Sequence, residues 1–267
     1  MSESNKVDVN QLIKNSSESF SKGNYVEAES LIREALFTAE KEGNLRDTAA
    51  SLHNLGTILS RMARYEEALG SYSKALAIKE QLGEQGASVA TTLNQLAQVY
   101  SAIGQTQQAE RLYEKSLSML ERVGDKNSEA ITLSNLASVY ASQARLSEAE
   151  ALYSKALAIQ ESLGSWQSAK TYNNLGNLYF SLHDLGKAHE AFQKSITLMK
   201  QQLGESHPDT SSVINNLAYV LAEEGKNEEA SKLFSESLDN LRRVLGAKHP
   251  YVKQLSERGL RLTKNST

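Results

Sequence analysis

One short phrase is written six times in this chain. Its copies are Tyr25-Val26-Glu27-Ala28-Glu29, Tyr65-Glu66-Glu67-Ala68, Thr106-Gln107-Gln108-Ala109-Glu110, Leu146-Ser147-Glu148-Ala149-Glu150, Leu185-Gly186-Lys187-Ala188 and Asn227-Glu228-Glu229-Ala230, with alanines 40, 41, 40, 39 and 42 residues apart. A period of this length implies a stack of like units rather than one closed core. Twelve residues before the last five alanines stand the small residues Gly56, Ala97, Ala137, Gly176 and Ala218. Four residues after each alanine come the bulky Ile32, Tyr72, Tyr113, Tyr153, Phe192 and Phe234. Seven after come Ala35, Ala75, Ser116, Ala156, Ser195 and Ser237, each followed by leucine or isoleucine.

The spacing inside one unit gives its shape. Leu52, Leu55, Gly56 and Leu59 recur at helical intervals, and Ala68, Tyr72, Ala75 and Leu76 do the same on a second helix. Met62-Ala63-Arg64 leaves room only for a tight turn, so the helices run antiparallel. Gly56 and Ala68 let the backbones approach and Tyr72 fills the space beside them. One such pair cannot bury both faces, whereas a stack can. The expected fold is all-α: a right-handed α-solenoid of six antiparallel helix pairs over residues 9–264. The pairs span about 9–46, 47–87, 88–127, 128–166, 167–206 and 207–248, with a cap helix at 250–264 and a disordered tail at 1–8. Only two prolines interrupt the 267 residues, which agrees with a helical chain.

These small–large–small phrases resemble the tetratricopeptide repeat. The usual unit has 34 residues, and the extra length is expected in the second helix and its exit, where Leu76-Ala77-Ile78-Lys79-Glu80-Gln81-Leu82-Gly83 continues the pattern. Leu203-Gly204-Glu205-Ser206-His207-Pro208, Leu245-Gly246-Ala247-Lys248-His249-Pro250 and Ile214-Asn215-Asn216-Leu217-Ala218 are similar to the long repeats of kinesin light chains. Both ends depart from the pattern. Asn15 stands where other copies carry leucine, so the first helix should be a polar cap. At the far end Pro250 should start a helix with Val252, Leu255, Gly259 and Leu262 facing the sixth repeat.

Chemistry is hard to place on this chain. It has no cysteine, no phosphate-cradling glycine loop and no paired histidines at metal-ligand spacing. His183 and His189 would fall nearly opposite one another on a helix, while His207 and His249 precede prolines and read as helix-start caps. No enzyme activity, cofactor or metal is expected. Lys and Arg number 29 against 32 Asp and Glu, which disfavours nucleic acid as the main partner. A lysine ladder at Lys74, Lys115, Lys155 and Lys194 reads as solvated face. No stretch could span a membrane, and the amino terminus lacks a secretory signal, so a cytoplasmic monomer is expected.

A surface that could bind is easier to find. In a curved stack the first helices line the concave side. One residue before each core leucine come Asn54, Gln95, Asn135, Asn174 and Asn216, preceded by His53, Asn94, Ser134, Asn173 and Asn215. One turn later are Thr57, Gln98, Ser138, Asn177 and Tyr219. Carboxamides both donate and accept, so this ladder could hold the backbone of an extended peptide, or it could join neighbouring repeats. Arg61 and Lys170 are the evident cations of the face, opposed by Glu223. So neutral a surface argues against the lysine-rich carboxylate clamp used by some similar repeat proteins. The expected function is an adaptor that binds a peptide or disordered segment of a protein partner. The alternative is a regulatory subunit whose curvature switches an effector. Trp166, between repeats, would staple a helix start or anchor a partner.

Overall fold

A computed structural model describes the backbone of residues 8–264 and the side chains of residues 8–257. Among these residues it is helical throughout. The first helices of the repeats are α1 (Val9–Ser21), α3 (Leu45–Arg61), α5 (Ala87–Ala102), α7 (Lys126–Ser142), α9 (Ser168–Ser181) and α11 (Pro208–Glu223). Their partners are α2 (Tyr25–Glu42), α4 (Tyr65–Gln81), α6 (Thr106–Val123), α8 (Leu146–Ser162), α10 (Leu185–Leu203) and α12 (Asn227–Leu245), followed by α13 (Pro250–Lys264). The chain forms two compact units, residues 1–139 and 140–267, with the boundary inside α7. Residues 1–7 of the expected tail lie outside the described residues, whereas Asp8 caps α1 by accepting from Asn10 N at 2.9 Å.

Within each unit, consecutive helices pack as hairpins: α1 on α2, α3 on α4 and α5 on α6 in the first, α9 on α10 and α11 on α12 in the second. The repeated alanines are the pivots; Ala28, Ala68, Ala109, Ala149 and Ala188 are wholly buried. The small residues opposite are sterically required. A Cβ on Gly56 would lie 2.9 Å from the Tyr72 ring, and one on Gly176 would lie 2.7 Å from Phe192. The second helices carry much of the extra length: α10 and α12 have 19 residues each, against 14 and 16 in α9 and α11.

The turn inside each pair has one geometry. Five residues before the repeated alanine the backbone is left-handed, at Gly23, Ala63, Gly104, Ala144, His183 and Gly225. His183 therefore occupies this turn at φ 57° rather than a helix face, so the expected opposition of His183 and His189 on one helix does not arise. Both histidine caps form as expected: Asp209 N donates to His207 Nδ1 at 3.1 Å and Tyr251 N to His249 Nδ1 at 3.3 Å.

First helices touch across repeats, α1 with α3 and α3 with α5 in one unit and α9 with α11 in the other. In the first unit α2 meets α4 and α4 meets α6 through long side chains, Arg33 with Glu67 at 3.8 Å and Glu80 with Lys115 at 3.7 Å, whereas the backbones of the first helices themselves come close. The ends are closed differently. Of the buried residues of α1 only Val9 is apolar, and Ser16 Oγ donates to Ala28 O at 2.8 Å. Asn15 accepts from Gln11 Nε2 at 2.7 Å, which fits the polar cap expected there. At the other end Val252 and Leu255 bury against Phe234, Leu238 and Leu241. Gly259 and Leu262 lie beyond the described side chains.

Candidate peptide-binding face

The carboxamide ladder is built from the first helices, and its rungs are tied from one repeat to the next. Asn94 Nδ2 donates to Thr132 Oγ1 at 2.8 Å, and Asn135 Nδ2 donates back to Asn94 Oδ1 at 3.2 Å. In the second unit Asn216 Nδ2 donates to Asn173 Oδ1 at 3.0 Å. His53 stands at the Asn94 position and meets Thr92 Oγ1 through Nδ1 at 3.1 Å. Burial, reinforced by the nearby Lys79 ammonium, lowers the His53 pKa to about 4, so the ring is neutral at pH 7.

These bonds use only part of each amide. Asn135 and Asn216 are half-buried, and each commits Nδ2 while its Oδ1 has no partner among the described residues. Asn54 and Gln95 are half-buried, Gln98 and Asn177 exposed, and none of the four makes a side-chain bond with another described residue. Asn174 is half-buried and engaged within the chain. Thr57 is fully used: it accepts from the Tyr72 hydroxyl at 2.9 Å and donates to His53 O at 3.2 Å. Beside Asn54 a small cavity of about 70 Å³ opens between Phe20, Ile58, Ser16 and Ser17.

Asn215 departs from the expected face. It is 1% exposed, accepts from Ser237 Oγ, and leaves its Nδ2 buried without a partner among the described residues. The cause lies in the sixth repeat, whose interior is unusually polar. Ser211 replaces the alanine of the preceding four repeats, Asn240 replaces an aliphatic position, and Asn240 Nδ2 donates to Ser211 Oγ at 2.7 Å. Asn215 joins this inner cluster instead of facing outward.

The cations are exposed but differently engaged. Arg61 makes no ion pair with any described residue, and Lys170 lies 5.6 Å above the Trp166 ring. Glu223 is exposed. Lys74, Lys115, Lys155 and Lys194 are all exposed, as a solvated face requires. Three participants were not singled out by the sequence. Thr92 and Thr132 receive the ladder from the neighbouring repeat, and their signal was a hydroxyl two residues before the doublet. Lys79, 8% exposed, donates to Ser88 O and Thr92 Oγ1 at 3.0 and 2.9 Å, and sits at a position otherwise held by Ala39, Leu120, Gln160, Met199 and Leu241.

The tetratricopeptide repeat model matches residues 19–81, 47–122, 88–162, 128–201 and 167–243, overlapping windows that together cover most of the sequence. The chain belongs to the tetratricopeptide repeat family. Solved structures repeat the arrangement at low identity. BtubC (BKLC) from P. vanneervenii is 22% identical, with a TM-score of 0.67 over 91% of this chain and 94% of that one. A putative kinesin light chain with nearly identical repeats from Podosopora anserina is 20% identical, with a TM-score of 0.60 over 73% and 95%. A Rap protein complexed with Competence and Sporulation Factor is 15% identical, with a TM-score of 0.70 over 95% and 74%. No curated protein matches the sequence. The tetratricopeptide repeats here are long, their alanines recurring every 39–42 residues, and their fold is similar to that of the kinesin light chain repeats. Among the described residues no helix is long and apolar enough to cross a membrane, and no three His, Asp or Glu residues gather as metal ligands would.

Proposed function

We propose that this repeat protein is an interaction scaffold, without a reaction of its own, that holds a peptide or disordered segment of a partner on its first-helix face. One observation carries the reading. The amides of Asn135 and Asn216 are fixed through nitrogen by the neighbouring repeat while their carbonyl oxygens remain unpartnered. A rotamer already locked costs little further entropy when the oxygen accepts a backbone N–H from a ligand. Joining repeats and gripping a peptide are thus two uses of one side chain. Backbone bonding of this kind ignores sequence, and selectivity comes from notches such as the one between Phe20, Ile58 and Asn54. The Rap protein was solved with Competence and Sporulation Factor bound, which supports ligand capture by repeats of this architecture.

The test uses a peptide selected from a random library against the intact protein. Replacing Asn135 in the first unit or Asn216 in the second by alanine should weaken its binding at least tenfold while far-ultraviolet circular dichroism stays unchanged. Unaltered affinity together with a lowered melting temperature would leave the ladder a stacking device alone.

A further inference from the structure

The second helices of neighbouring repeats carry opposite charges at matched places. Glu40, Glu80, Glu121 and Glu161 stand twelve residues after the repeated alanine. Lys74, Lys115, Lys155 and Lys194 stand six after it in the repeat that follows. Between α4 and α6 the two charges meet, Glu80 and Lys115 lying 3.7 Å apart. Between α8 and α10 both charges instead meet Tyr172 of α9. Earlier repeats carry Leu52, Leu93 and Leu133 where Tyr172 stands. Its hydroxyl donates to Glu161 Oε1, and the Lys194 ammonium lies 5.1 Å above its ring.

The separated charges border an open cleft of about 550 Å³ lined by Tyr172, Glu161, Glu190, Gln193, Lys194 and Leu198, among others. A neighbouring cleft of about 380 Å³ shares Glu161 and Leu198 and reaches Trp166, which is 37% exposed. No carboxamide of the first-helix face lines either.

The charges left over decide what fits. Burial and the Glu161 carboxylate push the Tyr172 pKa up to about 12, so at neutral pH the phenol is an uncharged donor, and Glu161 forms no ion pair with any described residue. Glu190 forms no ion pair with any described residue. Lys194 rests on a ring face rather than on a carboxylate. Two carboxylates without ion-pair partners beside the Tyr172 ring, with Trp166 in the adjoining cleft, match a planar guanidinium. It forks onto carboxylate oxygens and stacks on rings, which a compact ammonium does less well. We propose that this cleft is a second docking site, which takes an arginine side chain from an exposed segment of a partner protein.

Trp166 is the single tryptophan, so its emission reports this region alone. Titration of the full chain with acetyl-Arg-Arg-amide should give a saturable fluorescence change. Tyr172→Leu, which restores the residue of the earlier repeats, should weaken binding at least tenfold without loss of helicity. Glu190→Gln, at an exposed position, should weaken it at least threefold, and Asn135→Ala should leave it unchanged, separating this site from the first-helix face. The proposal is overturned by a non-saturating response, by equal affinity in both cleft variants, by equal affinity for acetyl-Lys-Lys-amide, or by comparable binding of acetyl-Glu-Glu-amide.

Discussion

At three of the six turns within a helix pair, Ala63, Ala144 and His183 adopt a left-handed backbone that glycine holds elsewhere. For an L-residue that conformation costs roughly 1–2 kcal/mol, whereas glycine loses about 0.4–1 kcal/mol through its freer unfolded chain. Ala144→Gly should therefore stabilise the protein by about 0.5–1 kcal/mol in urea unfolding, and a fall in midpoint would show that the neighbouring packing dictates alanine. His53 presents a different balance, between protonation and burial. Its pKa is about 4 in the folded chain against an ordinary 6.5, so the unfolded chain binds the extra proton between those values. Stability is undiminished above pH 6.5, declines as pH falls towards 4, and loses up to about 3 kcal/mol in all, at 1.36 kcal/mol per unit. His53→Asn, which supplies the residue found at Asn94 and Asn173, should flatten that acid limb. Equal steepness in both proteins would assign the limb to other groups.

The helices and their pairing were legible because the pattern that marks them is the packing itself. Gly56 opposite Tyr72 and Gly176 opposite Phe192 are small and large residues whose rings lie within 3 Å of where a Cβ would stand. The polar first helix was equally readable, since Asn15 breaks a run of leucines. The destination of the carboxamides was not. Asn94 and Asn215 occupy the same register, yet one bonds to Thr132 in the next repeat and the other turns to Ser237 in its own. That choice depends on Ser211 and Asn240, distant in sequence, which make an inner polar partner available. The same limit applies to Tyr172. A tyrosine in a leucine register reads as core, yet in the fold it meets both Glu161 and Lys194.

For the molecule as a whole, likeness at 15–22% identity with TM-scores of 0.60–0.70 shows how little of the sequence the architecture needs. Each repeat buries itself mainly against its neighbours, so the last one depends on what covers it. Val252 and Leu255 of α13 cover Phe234, Leu238 and Leu241. Deleting residues 247–267 should bare that apolar surface and drive concentration-dependent self-association in light scattering. A truncated protein that stays monomeric and as heat-stable as the full chain would show the cap to be dispensable. The bond from Asn135 to Asn94 has a mechanical side as well. A guest that loads the free oxygen of this amide polarises its nitrogen and strengthens the tie to the adjoining hairpin. Occupancy would stiffen the spring at that joint, and a pulling force would be resisted most where cargo is held.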